Sequence, residues 1–203
     1  PLYNYLKPYS PALQKKFYDD HGGESIVARQ TASPVLGNLN SGMQLYRLKY
    51  EKPDTFKKIK WALHLPQYLS YVLCSAINSD ITSIGCHTNL WDFQFDKYHQ
   101  WVNQENIDVS CTDIAGYSSG KIPTGAGLHD SSAALIPYLS SIQEPFILLS
   151  TGTWCISLNP FNHAQLTNNE LNQDCLCYLS YEGKPVKASR LFAGYEHEQQ
   201  VKR

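Results

Sequence analysis

Apolar and polar positions recur with a clear period in only a few parts of this chain, and those parts set the elements to expect. Residues 1–50 are poor in long periodic runs. Tyr3, Tyr5, Pro8, Tyr9 and Pro11 predict an extended lead-in rather than a stable helix. His21-Gly22-Gly23-Glu24 and Ser33-Pro34-Val35-Leu36-Gly37 read as loops. A short helix is expected over 41–50, with Leu45, Leu48 and Lys49 on one face and Gln44 and Arg47 on the other. Pro66 suits the first position of a second helix. Tyr68, Leu69, Val72 and Leu73 follow it at the spacing of one apolar helical face. A short helix carrying Trp101 is expected over 99–104.

Beyond residue 110 the pattern changes. The stretch 111–121 is rich in Gly and Ser and reads as a loop or interlobe segment. A helix beginning at Ser131 should kink or end at Pro137, whose ring removes a hydrogen bond to Ala133. Phe146-Ile147-Leu148-Leu149 reads as a buried strand opening into a Ser/Thr/Gly turn. Strands are then expected over 155–158, 176–181 and 186–192, the last two joined by the turn Glu182-Gly183-Lys184-Pro185. Trp61, Trp91 and Trp101 read as core or interface aromatics. Lys57, Lys58 and Lys60 read as a solvated face.

Composition narrows the function classes. The 203 residues suffice for a real core, with 42% hydrophobic and 17% charged residues. A net charge of −1 offers no basic field for nucleic acid or an acidic membrane surface. No apolar run reaches spanning length and no signal-peptide core opens the chain, so a cytoplasmic location is expected. The six cysteines contain no C-x-x-C pair and the histidines no H-x-x-x-H spacing. Neither a metal site nor a disulfide framework is expected; the thiols read as reduced.

Two segments carry candidate chemistry. Gly127-Leu128-His129-Asp130 runs into Ser131-Ser132-Ala133-Ala134-Leu135. The glycine permits a tight turn, and Asp130 is placed to cap the helix that follows. A carboxylate there is stabilised by the free N–H groups and the helix dipole, held in one place, and still able to accept a proton. Some twenty residues later, Ser150-Thr151-Gly152-Thr153-Trp154 offers N–H and hydroxyl groups that suit phosphate. A positioned base together with a phosphate cradle points to phosphoryl transfer to a hydroxyl. Taken singly, the first segment also reads as a plain cap and the second as a plain hairpin turn.

The order of the segments resembles the FGGY-type carbohydrate kinases. The run 63–73, LHLPQYLSYVL, resembles their L-P-D-Y-L-x-Y-x-L segment, and the stretch from Asp80 to Asp92 their D-x-T-x-A-S-x-T-x-L-x-D. Gly127 to Ala134 resembles their G-x-x-D-x-x-A-A catalytic segment, and Ser150 to Trp154 their S-x-G-T-[SW] phosphate loop. The His-Asp pair and the Gly-Thr-Trp ending look nearest the rhamnulokinase-like branch. The resemblance implies an α/β, actin-like ATPase (ribonuclease H-like) fold of two lobes, each with a mixed sheet. The chain would then supply the end of the first lobe and the start of the second. Residues 1–142 would be the C-terminal part of the N-terminal, sugar-binding lobe, and 143–203 the start of the ATP-binding lobe.

It also implies an ATP- and Mg²⁺-dependent kinase acting on a ketose such as rhamnulose, fuculose or xylulose. Asp130 would be the general base and His129 would touch the sugar. Thr151, Gly152 and Thr153 would lie along the ATP phosphates. Sugar and ATP are the implied partners, with a homodimer as a possible assembly and neither nucleic acid nor membrane. Departures accompany the likeness. Family members are more than twice this length, and neither their Asp-x-Gly-Thr-Thr turn nor their adenosine-binding glycine segment is found here, so the chain reads as an internal fragment, inactive alone. Gln44 and Arg47 replace a K-x-x-W, and Leu73-Cys74-Ser75 stands where L-T-G is usual. The alternative is a catalytically inactive sugar-binding or regulatory relative; a third is a structural domain in which Asp130 only caps.

Overall fold

Among the described residues two larger apolar cores, one closed by helices and one faced by a sheet, stand beside a small third cluster of Ala32, Leu166 and Cys177. The computed structural model describes residues 4, 5, 7–108, 124–152 and 154–202. The first core begins with α1 (Pro11–Asp20), which starts at a proline behind a Ser10 cap. Then follow α2 (Glu24–Gln30), α3 (Ser41–Glu51), α4 (Pro53–Phe56), α5 (Leu65–Cys74) and α6 (Ile81–Ile84). A two-stranded hairpin, β1 (Trp91–Asp92) and β2 (Lys97–Tyr98), leads into α7 (Gln100–Gln104). Helices α1 and α2 form although no long periodic run announces them, and α1, opening at Pro11, corrects the expectation that the prolines there exclude a stable helix.

Phe17, Met43, Tyr46, Trp101 and Val102 are fully buried at the centre of this core. Phe17 meets Trp101 edge-on at 5.2 Å and Tyr46 at 5.0 Å, the arrangement that ring quadrupoles favour. The Trp101 indole N–H donates to Asn89 O at 2.6 Å, so the ring is buried without an orphaned donor. Trp61, by contrast, is exposed. The helix expected over 41–50 is α3, but its buried positions are Gly42, Met43, Tyr46, Arg47 and Leu48, so Arg47 lies inside rather than outside.

The apolar pattern fails most clearly on α5. Its buried residues are Gln67 and Ser70, while Leu69, Val72 and Leu73 are 53%, 61% and 71% exposed. Two polar side chains face inward because each finds a carbonyl there, as described below.

The second core lies under a four-stranded antiparallel sheet of order β3-β4-β6-β5. Its strands are β3 (Leu148–Ser150), β4 (Cys155–Asn159), β5 (Cys175–Leu179) and β6 (Pro185–Leu191). Leu158, Leu176, Tyr178, Val186 and Ala188 pack there with Cys86, from the end of α6, and Leu135, from α8 (Asp130–Ser141). Every strand pair described is antiparallel, whereas a mixed sheet was expected; short hairpins join β3 to β4 and β5 to β6, while β4 and β6 pair across the segment that carries α9 (Asn168–Asn172) and β5. The run 146–149 is not a buried strand: β3 is an edge, and Leu149 is 67% exposed. Helix α8 runs through Pro137 for another turn, with the ring on its exposed side.

Two short helices complete the chain. Thr167 and Glu170 form a reciprocal capping box at the start of α9 (Asn168–Asn172). The last helix, α10, spans Ala193–Val201. Among the described residues no helix is long and apolar enough to cross a membrane.

Candidate active site

Asp130 is the first residue of α8, and the cap position belongs to His129. The expectation that Asp130 itself caps the helix is corrected by one residue. Its Oδ1 accepts the Ser131 N–H at 2.7 Å, and the His129 carbonyl accepts the Ala133 N–H at 2.8 Å. The carboxylate thus keeps the anchoring that a helix start provides. Its side chain is 93% exposed, so an oxygen remains open to a ligand.

The segment leading into Asp130 is held from two sides. On one side stands α5. Gln67 Nε2 donates to Gly127 O at 2.8 Å, and Ser70 Oγ donates to Gly125 O at 2.6 Å. Gly127 has φ of +80° and lies so close to α5 that a Cβ would come within 2.7 Å of Pro66 O. Glycine is required there on both counts. On the other side stands the start of α6. The His129 N–H donates to Thr82 Oγ1 at 2.9 Å, and the Thr82 hydroxyl donates to Asp80 Oδ1. Asp80 also caps α6 by accepting the Thr82 N–H at 2.9 Å.

Around His129 the fold gathers residues that no motif indicated. Cys86 Sγ lies 2.9 Å from His129 Nε2 and 3.1 Å from His87 Nδ1. The Tyr178 ring packs at 5.3 Å from the His129 ring and 6.1 Å from that of His87. Nε2 of His129 is 3.3 Å from Asp130 Oδ1. Burial pushes the His129 imidazole below the usual histidine range, with the Asp130 charge opposing. The ring is therefore neutral at pH 7, and its Nε2 hydrogen-bonds the Cys86 thiol while standing 3.3 Å from the carboxylate. Farther along α5, at its cap, His64 Nε2 is 2.9 Å from Ser41 Oγ.

The phosphate-loop candidates belong to another element, the turn between β3 and β4. Thr151 and Gly152 are exposed there, directly after the last β3–β4 pair, Ser150 with Ile156. Thr153 lies outside the described residues, as does the glycine- and serine-rich stretch 111–121. A Cβ on Gly152 would meet nothing closer than Trp154 O at 3.8 Å. Beside the turn, Trp154 stacks on Phe192 at 4.5 Å, with the Arg190 guanidinium 5.7 Å from its ring centre. Arg190 is itself fixed by Asp174, to which it donates at 2.9 and 2.8 Å. Among the described residues no group of three His, Cys, Asp or Glu is placed to hold a metal ion.

Chemically, the arrangement presents a fixed, open carboxylate beside a neutral imidazole, on a turn clamped by buried hydrogen bonds. Such a pair can accept a proton from a bound hydroxyl and orient that hydroxyl.

Comparison with known proteins gives this geometry a context. Residues 143–203 match the family described as carbohydrate kinase FGGY, C-terminal domain. The fold matches a carbohydrate kinase from Novosphingobium aromaticivorans with a TM-score of 0.81 at 27% identity, covering 98% of this chain and 46% of that one. A xylulose kinase from Rhodospirillum rubrum matches with a TM-score of 0.66 at 12% identity, over 90% of this chain and 40% of that one. For a xylulose kinase from Bifidobacterium adolescentis the values are 0.62 and 13%, over 94% and 43%. The last two speak to fold alone, which is the α/β, actin-like ATPase fold. The chain spans less than half the length of these structures. No curated protein matches the sequence significantly.

Proposed function

We propose that this chain, whose matches support membership of the FGGY-type carbohydrate kinase family, is the part of a sugar kinase that carries the catalytic base. The protein would transfer the γ-phosphoryl group of ATP to a hydroxyl of a ketose, with rhamnulose, fuculose and xylulose as the leading candidates. Residues 1–142 would belong to the sugar-binding lobe and 143–203 would begin the ATP-binding lobe. The observation that carries this reading is the open Asp130 carboxylate at the start of α8, 3.3 Å from His129.

In this mechanism the sugar hydroxyl attacks the γ-phosphorus, the bond to ADP breaks, and Asp130 takes the hydroxyl proton. Phosphoryl transfer places little demand on strong bases, so Asp130 acts late, as the attacking oxygen becomes acidic. His129, neutral and positioned by Cys86, Tyr178 and the Thr82 bond, would hold a second sugar hydroxyl. Thr151, Gly152 and Thr153 would lie along the phosphates. The family resemblance implies Mg²⁺, which neutralises phosphate charge when bound. Among the described residues no group of three His, Cys, Asp or Glu is placed to hold it, so it would arrive on ATP.

The test is Asp130→Asn in the full-length protein. We expect kcat to fall by about 10²–10⁴-fold, the range for loss of a general base, with sugar binding by calorimetry retained. Turnover within a few-fold of wild type would remove Asp130 from this role. A wild-type protein that binds a ketose yet never phosphorylates one would favour the regulatory relative.

A further inference from the structure

We infer that Gln67 and Ser70 are positioning residues: the buried polar face of α5 is the template that sets the turn before Asp130. The inference rests on the reading of Asp130 as the base. Gln67 is 1% exposed and Ser70 is 4% exposed. Burying an amide or hydroxyl is costly unless it is bonded. Ser70 Oγ meets that condition at Gly125 O and Gln67 Nε2 meets it at Gly127 O, in the same short segment, while Gln67 Oε1 is buried without a partner among the described residues. The next residue in that alternation, His129, is held through its N–H by Thr82. Three alternate residues, 125, 127 and 129, are thus pinned by side chains from two helices, immediately before the reacting carboxylate.

Shape reinforces the bonds. Gly127 sits against Pro66 O with no room for a Cβ, so the turn has one distance of approach to α5. The inversion of α5 follows from the same contacts. A helix whose apolar face points outward is oriented by its polar bonds, and here those bonds go to the turn. Gln67 and Ser70 touch no reacting atom in this scheme; they act through the backbone of the turn.

The experiment uses the full-length protein, D-xylulose and L-rhamnulose as acceptor probes, and hydrogen exchange of the amides of 126–131. In Gln67→Leu and Ser70→Ala we expect exchange across that segment to rise by about tenfold. We expect kcat to fall by about 10–10²-fold, the scale for a small misplacement, while KM for Mg-ATP stays within about twofold. Ser70→Thr, which keeps the hydroxyl, should retain wild-type values, a rescue that a purely structural role for the small side chain would not give. Exchange unchanged in Ser70→Ala, or equal losses in Ser70→Thr and Ser70→Ala, would overturn the inference. If Gln67→Leu does not fold, the serine pair decides alone. Failure of the wild-type protein to phosphorylate either probe counts against the kinase reading, and the exchange result still decides whether α5 sets the turn.

Discussion

Cys86 Sγ lies 2.9 Å from His129 Nε2, although 43 residues separate them in the chain. The contact ties the end of α6 to the start of α8 and backs the imidazole beside the proposed base with a thiol. Burial raises the Cys86 pKa well above the ordinary thiol value, and the Asp130 charge adds to the effect. The group beside His129 is therefore a neutral thiol.

Reactivity should follow from that. Iodoacetamide at pH 8 attacks thiolates, and burial holds both Cys86 and Cys177 protonated, the latter pushed up to about 12. In native protein these two should be the last alkylated of the described cysteines, behind the less buried Cys74 and Cys155. Peptide mass spectrometry over a time course reads the order. Early labelling of Cys86 would mean that α6 and α8 separate readily.

A pH dependence of stability follows from the neighbouring histidines. Burial, with the charge of His129 adding to it, lowers His64 and His87 to about 4. In the unfolded chain they take up protons near the ordinary value of about 6.5. Between those limits the unfolded state binds more protons, so stability is full above about 6.5 and declines as pH falls towards 4. The urea midpoint should be lower at pH 5 than at pH 7, and His64→Gln with His87→Gln should flatten the difference. An undiminished pH effect in the double variant would assign it to other groups.

Gly127→Ala should be costly for two reasons: a φ of +80° and a Cβ that would approach Pro66 O to 2.7 Å. Strained backbone of this kind costs about 1–3 kcal/mol. The turn must move off α5, so we expect lower stability in denaturant and a kcat loss of about 10²-fold. Wild-type turnover in this variant would show that the turn tolerates displacement.

Gly152 makes the opposite case. Its backbone is not in the left-handed region, and nothing of the fold crowds its missing Cβ. Gly152→Val should therefore change stability by no more than about 0.5 kcal/mol. A phosphate held by that turn would be pushed away, so KM for Mg-ATP should rise or kcat fall, with sugar affinity unchanged. Equal loss of both ligands with intact circular dichroism would place the loop away from phosphate.

Some of this was legible in the residues. The β4, β5 and β6 strands and the turn at Gly183 follow from alternation and turn chemistry, and Gly127 lies where a positive φ is needed. The α9 capping box is likewise legible, as Thr167 three residues before Glu170. The inward face of α5 was not readable. Periodicity reports where apolar residues cluster, and here the deciding bonds run from Gln67 and Ser70 to carbonyls some sixty residues away. Cys86 was hidden for a similar reason: a single thiol gives no pattern until the fold sets it against His129.

The outward face of α5 has a practical consequence for anyone who produces these 203 residues alone. Leu65, Tyr68, Leu69, Val72 and Leu73 stand in water along one helix, with Trp61 also exposed just before it. Contiguous apolar surface of that kind drives self-association. Solubility, more than folding stability, would then limit the preparation. Salts that are excluded from protein surfaces, such as sulfate, should turn it cloudy at concentrations that leave its hydrogen-bonded core intact.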